Sequence, residues 1–295
     1  MLVRAPLLVA FLALNTFLWG TPIVVLGAFK LILPEGRLRR RLILRLADLA
    51  ERWTAVNDSL FDRFLPTRWE VSPVDGLRAD GHYLIISNHS SWVDILVLQR
   101  IFHRRVALLR FFIKQELIWF PIIGAACWAL EFPFVKRYSA EYLEEHPEKR
   151  GSDVATTRKA CQRYKTIPVA ILNFVEGTRF SSDKRVEQES PYRHLLRPRA
   201  GGVAHVIAAM GDQLEELLDV TIAYPAVRIT MGKFLSGRVP LVRVDIRRRP
   251  IPPEIVDQTI TEPGPARDRF RQWIDGMWED KDKTLDEMVK SEMKE

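Results

Sequence analysis

The sequence predicts an α/β protein with a mixed sheet covered by helices and an N-terminal membrane-anchoring helical segment. Apolar runs rich in β-branched and aromatic residues alternate with segments of helical periodicity, which is typical of α/β domains. A long uncharged stretch precedes them. With 295 residues and 47% hydrophobic content, the chain can also bury a sizeable core.

The N-terminal stretch is expected to sit in a membrane. Ala5 to Phe29 contains no ionisable side chain over 25 residues, more than the roughly 20 that cross a bilayer core. A secretory signal peptide is disfavoured because its apolar region spans only about 7 to 15 residues. The dipeptide Thr21-Pro22 beside Gly20 leaves a single span and a re-entrant pair of short helices both open.

The residues after this stretch predict its orientation and a second helix. Five arginines, from Arg37 to Arg45, follow the apolar stretch, so the positive-inside rule predicts an inner-membrane protein whose main domain faces the cytoplasm. Arg37 to Leu65 is expected to form an amphipathic helix whose basic face suits anionic membrane lipids. The strand candidates that follow are Tyr83–Ser87, Val106–Leu109, Phe132–Lys136, Pro168–Val175, Asp219–Ala223 and Val239–Ile246.

Four segments are therefore expected. Residues 1–33 form the membrane-anchoring helix or helical hairpin, 34–70 the basic connector, 71–255 the α/β domain and 256–295 a helical tail. The end of that tail, Glu279 to Glu295, is charged with a scattered apolar stripe, which predicts a solvated helix.

The composition indicates which chemical class of binding partner to expect. A formal charge of +7 and a pI near 9.5 favour an anionic partner. No module with basic residues interleaved with stacking aromatics is present, so nucleic acid is not expected. The two cysteines, Cys127 and Cys161, are expected to be reduced core residues in a cytoplasmic compartment. No metal site is expected.

A polar break in the stretch YLIISNHSSWVDILVL, residues 83–98, predicts a reactive site. Tyr83 to Ile86 is expected to be a strand and Trp92 to Leu98 a helix, so His89 falls at a strand's carboxyl end. Histidine suits proton transfer near neutral pH, and Asp94 could orient its ring. A helix cap or a surface pair would show the same two residues.

Two further apolar runs end in cations. Pro168 to Arg179 (PVAILNFVEGTR) ends in a turn in which Gly177 allows tight bending, while Thr178 and Arg179 offer donors to a phosphate. Glu131 to Arg137 (EFPFVKR) ends in the adjacent cations Lys136 and Arg137. Base, cation and cation at three strand ends predict a reaction on a phosphorylated, membrane-resident alcohol.

At these residues the sequence resembles the PlsC-like glycerolipid (1-acylglycerol-3-phosphate) acyltransferase family. Asn88-His89 with Asp94, then FPFVKR, then FVEGTR match its successive motifs, over about Leu77 to Pro225. The resemblance implies acyl transfer from acyl-CoA or acyl carrier protein (acyl-ACP) to the hydroxyl of a lysophospholipid in phospholipid synthesis, with no bound cofactor. The expected acceptor is 1-acylglycerol-3-phosphate (lysophosphatidate).

Departures from the family's pattern point to a subgroup. Phe180 intervenes before Ser181, and a later Val-Pro motif is replaced by DVTIAYP, residues 219–225. These features resemble the YihG-like and lysocardiolipin acyltransferase-like branch, in which lysophosphatidylglycerol or lysocardiolipin is an alternative acceptor. The segment HLLRPRAGG adds Arg197 and Arg199, either as phosphate contacts or as part of a solvated basic loop.

The resemblance also implies roles. His89 deprotonates the acceptor, Asp94 supports it, and no acyl-enzyme forms; the absence of a G-x-S-x-G elbow argues against a lipase. Amides near Ser90 to Trp92 are expected to stabilise the oxyanion. The expected substrate-binding residues are Arg137, Glu176, Gly177, Thr178, Arg179, Lys136 and Lys114, the last in FFIKQEL.

Overall fold

The N-terminal apolar stretch forms one helix that pairs with the basic helix after it. The computed structural model describes residues 4–136, 140–146, 152–225 and 227–290. Helix α1 (Arg4–Ala28) continues through Pro22, and α2 (Arg37–Phe64) follows after a short turn. The helix expected over Arg37–Leu65 is confirmed, and Ala5–Ala28 lies in the single helix α1 and not in two short helices.

Strands and helices alternate after this pair. The strands are β1 (Arg68–Val71), β2 (His82–Ser87), β3 (Leu109–Phe111), β4 (Ile113–Lys114), β5 (Phe134–Val135), β6 (Val169–Phe174), β7 (Glu216–Ala223) and β8 (Leu241–Arg249). The helices are α3 (Val93–Phe102), α4 (Ile123–Ala129), α5 (Ala140–Glu145), α6 (Ser152–Tyr164), α7 (Ser182–Glu187), α8 (Gly201–Met210), α9 (Met231–Leu235) and α10 (Pro265–Lys290).

Six strands form the main sheet, in the order β1-β8-β7-β2-β6-β3. The neighbours β7, β2, β6 and β3 are parallel, β8 is antiparallel to β7, and β1 is parallel to β8. Ser87 at the end of β2 lies opposite Phe174 at the end of β6 and beside Val220 of β7. The carboxyl ends of these strands therefore meet at one edge, where ligands bind in open α/β sheets.

Both faces of the sheet are buried. Along β2, Tyr83 and Ile85 belong to the core shared with α3, whereas Leu84 and Ile86 belong to the core shared with α6, α8 and α10. This alternation follows from the two-residue period of a strand. The predicted α/β fold, a mixed sheet covered by helices with an apolar N-terminal helix, is confirmed.

Two predicted strands differ from the structure. The run Val106–Leu109 pairs with β6 only from Leu109, because the chain still turns after α3 and Arg104 has a left-handed backbone (φ 55°). Within Phe132–Lys136 only β5 is extended, and it pairs with β4 in a separate two-stranded sheet. Strand β1 was not predicted, and it crosses the expected boundary between residues 70 and 71.

The expected solvated tail is wrong for the residues that are described. Helix α10 buries Trp278, Lys281 and Leu285 against the sheet. The Lys281 ammonium donates to the main-chain oxygen of Val220 at 2.6 Å and forms an ion pair with Asp219. The charges along this helix concealed a packed face, because lysine can bury its stem when its ammonium finds partners.

Helix α1 packs on the α/β domain near both of its ends and on α2 in its middle. Leu8, near its start, is fully buried in the core that includes the sheet. Asn15, in its middle, donates to the side-chain oxygen of Asn57 at 2.9 Å. Ile23, near its end, is buried with Ala126 of α4. Among the described residues, only the helical stretch 5–31 is long and apolar enough to cross a membrane.

Two glycines allow α1 to approach the segment around α4 closely. A Cβ atom on Gly20 would lie 2.3 Å from the side chain of Ile122, and one on Gly27 would lie 2.4 Å from that of Ala129. Residues seven apart share one face of a helix, so both contacts belong to one interface. Small residues at such positions let two helices pack closely.

A buried ion pair fixes the chain just after α1. The Lys30 ammonium donates to the main-chain oxygen of Ala129 at 2.7 Å and to Oε1 of Glu131 at 2.6 Å. Glu131 also accepts from Arg163 at 2.6 Å. Removing one partner of such a pair leaves a buried charge, at a cost of about 3–5 kcal/mol. The N-terminal helix is therefore a packed part of the fold.

Candidate active site

Strand β2 is fixed to β7 at the point where it ends. The side-chain nitrogen of Asn88 donates to the main-chain oxygen of Ile222 at 2.9 Å, and its side-chain oxygen accepts from the N–H of Ile222 at 2.9 Å. A buried amide is satisfied by such reciprocal bonds. The next residue, His89, therefore leaves the sheet from a defined position.

The structure brings His89 and Asp94 into direct contact. Nδ1 of His89 lies 2.8 Å from Oδ2 of Asp94. The same oxygen accepts from the main-chain N–H groups of Ser90 at 2.6 Å and Ser91 at 2.9 Å. The Asp94 carboxylate is fully buried, and its Oδ2 accepts from both main-chain N–H groups, so in this arrangement Nδ1 of His89 is the donor and carries the hydrogen. The lone pair of His89 is then on Nε2, the nitrogen that can take a proton.

Two aromatic residues whose roles were not predicted complete the surroundings of this pair. The Tyr224 hydroxyl, just after β7, donates to Oδ1 of Asp94 at 2.6 Å. Burial, together with the charge and hydrogen bond of Asp94, raises the pKa of Tyr224 well above its usual value, so the hydroxyl stays a donor. Phe174, at the end of β6, stacks on the His89 ring with centroids 3.9 Å apart. Both residues follow the same rule that suggested His89, since each lies at a strand's carboxyl end.

Glu176 supports the backbone of the site through two hydrogen bonds. Its Oε1 accepts from the main-chain N–H of His89 at 2.8 Å, and its Oε2 accepts from that of Leu196 at 2.9 Å. Burial raises the pKa of Glu176 to about 7; the two main-chain donors oppose the shift, and the charge of Asp94 adds to it. Because Glu176 is fully buried and both oxygens are bonded, its contacts are those of a positioning residue and not of the expected substrate ligand.

The turn after Glu176 carries two cations. Gly177 has a left-handed backbone with φ 69°, as expected of a tight turn. Thr178 accepts from the Lys184 ammonium through its hydroxyl at 2.7 Å, and Arg179 accepts from the same ammonium through its main-chain oxygen at 3.2 Å. The exposed guanidinium of Arg179 lies over the Trp92 ring, 5.5 Å from its centroid. Lys184 was not predicted, since it reaches the turn only because α7 folds back on it.

The proposed oxyanion donors need correction. The main-chain N–H groups of Ser90 and Ser91 are both bonded to Asp94, so they are not available to a reacting oxygen. Of the three expected amides, only that of Trp92 lacks a hydrogen bond within the described part of the chain.

The other predicted cations lie on the small sheet or beyond it. Lys114, on β4, is exposed and pairs with Glu116 at 3.1 Å. Lys136 follows β5 and is also exposed. Strand β5, which precedes Lys136, pairs with β4 in the small sheet and does not join the main sheet. Arg137 lies outside the described residues.

The arrangement combines a positioned base with a cationic turn at one sheet edge. The His89 side chain is 13% exposed, so a substrate hydroxyl can reach its ring. General-base chemistry on a substrate with an anionic group fits these residues. Fold and site together define an α/β protein equipped for general-base chemistry.

Comparison with known proteins identifies the group. A family model described as Acyltransferase matches residues 68–225, more than half of the chain, and the chain belongs to this family. It is 25% identical over 267 residues to 1-acyl-sn-glycerol-3-phosphate acyltransferase gamma of Mus musculus, covering 86% of this chain and 63% of the mouse protein. It is 24% identical over 221 residues to 1-acyl-sn-glycerol-3-phosphate acyltransferase 3 of Arabidopsis thaliana, covering 70% and 53% respectively.

A solved structure has the same fold. The crystal structure of the 1-acyl-sn-glycerophosphate (LPA) acyltransferase PlsC from Thermotoga maritima matches with a TM-score of 0.51 at 16% identity, covering 95% of each chain. The curated relatives are longer, and the aligned part spans just over half of their length.

The first prediction concerns the histidine pair. His89→Ala should lower turnover about 10²-fold to 10⁴-fold, because the general base is lost. Asp94→Asn should also be severely impaired, since an amide no longer fixes Nδ1 as the protonated nitrogen. Rates should be measured on purified variants whose circular dichroism matches that of the unaltered protein. A folded His89→Ala variant with near-normal turnover would contradict the assignment.

The second prediction concerns the pH dependence of stability. Because the pKa of folded Glu176 is about 7 against an ordinary value of 4.5, the folded state keeps a proton that the unfolded chain releases. The free energy of unfolding should therefore fall as pH rises from about 4.5 to 7, by up to about 3 kcal/mol from this group. The free energy of unfolding should be measured by urea denaturation between about pH 4.5 and 7, for the unaltered protein and for the Glu176→Gln variant. The difference between the two curves isolates Glu176, and parallel curves would show that its proton is not involved.

Proposed function

We propose that the protein is a membrane-bound O-acyltransferase that moves a fatty acyl group from a thioester donor to the free hydroxyl of 1-acylglycerol-3-phosphate. The observation that carries this proposal is the His89–Asp94 pair beside the exposed Arg179. Membership of the acyltransferase family and the names of the mouse and Arabidopsis relatives support it.

The reaction needs one base and no enzyme nucleophile. Nε2 of His89 takes the proton of the acceptor hydroxyl as its oxygen attacks the thioester carbonyl. The C–S bond then breaks, and the departing thiolate receives the proton from the imidazolium, which gives an ester and a free thiol. Asp94 stabilises the imidazolium between these steps, because its carboxylate already accepts from Nδ1.

Arg179 is the cation best suited to the acceptor's phosphate. A guanidinium offers two parallel donors that match two phosphate oxygens. Its contact with the Trp92 ring keeps it close to the start of α3. Trp92 lies between His89 and Asp94 in the sequence. Lys184 adds positive charge behind the turn. Lys114, Lys136 and Arg137 remain substrate-binding candidates that rest on the resemblance.

The acceptor's head group defines an alternative. Membership of the YihG-like and lysocardiolipin acyltransferase-like branch would make lysophosphatidylglycerol or lysocardiolipin the acceptor, through the same histidine. These lipids carry phosphodiesters, whereas 1-acylglycerol-3-phosphate carries a phosphomonoester of higher charge. A panel of lysolipids assayed by product mass separates the two possibilities.

The N-terminal helix pair is proposed to embed the enzyme in the cytoplasmic face of the inner membrane. Large apolar side chains on α1, among them Leu14 and Leu18, are about 61% and 62% exposed. Helix α1 is packed on the α/β domain near its start and its end and on α2 in its middle, so one of its faces is covered by the rest of the chain. Partial insertion of its exposed face, with the basic residues of α2 at anionic head groups, fits this packing. The acceptor could then reach the site from the same leaflet.

The third prediction addresses Arg179. Arg179→Lys keeps the charge but loses the fork of donors, so the KM for lysophosphatidate should rise about tenfold or more. The KM for the acyl donor should change less. Steady-state kinetics of both substrates measure this, with the exposed Arg238→Lys as the matched control. If only the donor's KM rises, Arg179 serves the donor instead.

The fourth prediction addresses the membrane surface. Replacing both Leu14 and Leu18 by Glu should release the protein from vesicles containing anionic lipids, because two charges would enter the apolar face of α1. Both side chains are exposed, so folding should persist. Vesicle flotation measures binding, and Val186→Glu, an equally exposed apolar position on α7, is the control. Unchanged flotation of the double variant would show that another surface binds the membrane.

A further inference from the structure

A cavity of about 810 Å³ lies beside the Gly177 turn, outside the residues assigned above to the reaction. Four arginines line it: Arg197, Arg199, Arg267 and Arg271. Arg199 belongs to the cavity and also packs on the turn, since a Cβ atom on Gly177 would lie 3.2 Å from its Cδ. The main-chain N–H of Arg199 donates to Val175 at 2.6 Å. The lining of the cavity therefore adjoins the turn that follows β6 through Arg199.

The cavity shares the sheet edge that carries His89. Helix α8 begins at Gly201, which lines the cavity, and leads to β7, which begins at the opposite edge. Strand β7 is parallel to β2, so the first turn of α8 lies at the carboxyl edge of both strands. A molecule occupying the cavity could extend past the Gly177 turn to the histidine without crossing the sheet.

The lining has free positive charge. Four arginines face two carboxylates, Asp275 and Glu279, which leaves a formal charge of +2 with His205 neutral. Arg197 is tied to main-chain oxygens, its Nε to Gln188 at 2.9 Å and its Nη2 to Glu189 at 2.8 Å. The other three guanidinium groups make no hydrogen bond or ion pair within residues 4–136, 140–146, 152–225 and 227–290. Their donors are therefore available to an anion.

The rest of the lining is apolar and aromatic. Tyr192, Phe270 and Ile274 are buried side chains that form part of the wall. The volume falls within the range of about 300–1,000 Å³ that small-molecule sites occupy. The phosphates of a nucleotide could contact the arginines, whose guanidinium groups offer parallel donors. A concave, partly aromatic lining suits a nucleotide better than the flat surface that an acidic carrier protein would need.

We propose that this cavity binds the nucleotide phosphates of coenzyme A, which makes acyl-coenzyme A the donor of the reaction. The proposal rests on the proposed acyl transfer for its role, and on the cavity's own lining for its ligand. The nucleotide end occupies the cavity, the pantetheine arm passes the Gly177 turn beside Arg199, and the thioester reaches His89. Arg179 then serves the acceptor, and the cavity arginines serve the donor.

Direct binding tests the cavity without relying on catalysis. Titration calorimetry of the full-length protein in detergent should detect coenzyme A, and dephospho-coenzyme A, which lacks one phosphate, should bind more weakly. Replacing both Arg267 and Arg271 by Gln should raise the Kd for coenzyme A about tenfold or more. Arg269→Gln, an exposed arginine on α10 outside the cavity, is the matched control and should leave the Kd unchanged. An unchanged Kd in the double variant would overturn the proposal.

Kinetics separate the donor from the acceptor. In the double variant, kcat/KM for an acyl-coenzyme A should fall about tenfold or more relative to that for an acyl thioester of N-acetylcysteamine, which has no nucleotide. A selective rise in the KM for lysophosphatidate would instead assign the cavity to the acceptor, and activity only with acyl carrier protein would also overturn the proposal. Binding of coenzyme A without any acyl transfer would refute the proposed function and leave the cavity assignment intact.

Discussion

The buried carboxylate of Asp94 is the constraint on which the site depends. It accepts from the ring of His89, from two main-chain N–H groups at the start of α3, and from Tyr224 after β7. A buried carboxylate that loses its donors is strongly destabilising, so the fold is most stable when all four are in place. Three chain segments are thereby held around one charge. Nδ1 of His89 carries the hydrogen in this arrangement, because the carboxylate oxygen that it faces also accepts from its two main-chain partners.

A second buried carboxylate, that of Glu176, holds the backbone of His89. Glu176 accepts from the main-chain N–H of His89, while Phe180 donates its own N–H to the main-chain oxygen of His89 at 2.7 Å. The backbone of His89 is thus fixed by the turn after β6, and its ring is fixed by Asp94 and by stacking on Phe174. The ring and the backbone are held separately, and among the described residues Nε2 has no hydrogen-bond partner. Preorganisation of this kind is what general-base catalysis requires.

Strands and site residues that depend on local sequence pattern could be predicted. Those that depend on contacts between residues distant in sequence could not. Strands β2 and β6 could be predicted because their apolar runs end abruptly in polar residues, and the same break identified His89 and Asp94. Tyr224 reaches Asp94 across 130 residues, and no spacing rule predicts such a partner. Strand β5 has two residues, too few for a pattern to show whether it joins the main sheet. The charges of α10 hid its buried face, since Lys281 is stabilised there by Asp219, a residue far away in sequence.

The N-terminal helix, which carries the proposed membrane-binding face, is fixed relative to the site by buried contacts. An anchor joined by a flexible linker would leave the catalytic edge free to tumble relative to the lipid surface. Here Gly20 and Gly27 bring α1 against α4, and the buried pair of Lys30 with Glu131 secures its end. Glu131 is held in turn by Arg163 of α6, which packs on the same face of the sheet as α8. Because these contacts are buried, the apolar face of α1 keeps a defined orientation relative to the sheet edge that carries His89. In the proposed reaction, this orientation would hold the leaflet that contains the lipid acceptor at a fixed position relative to His89.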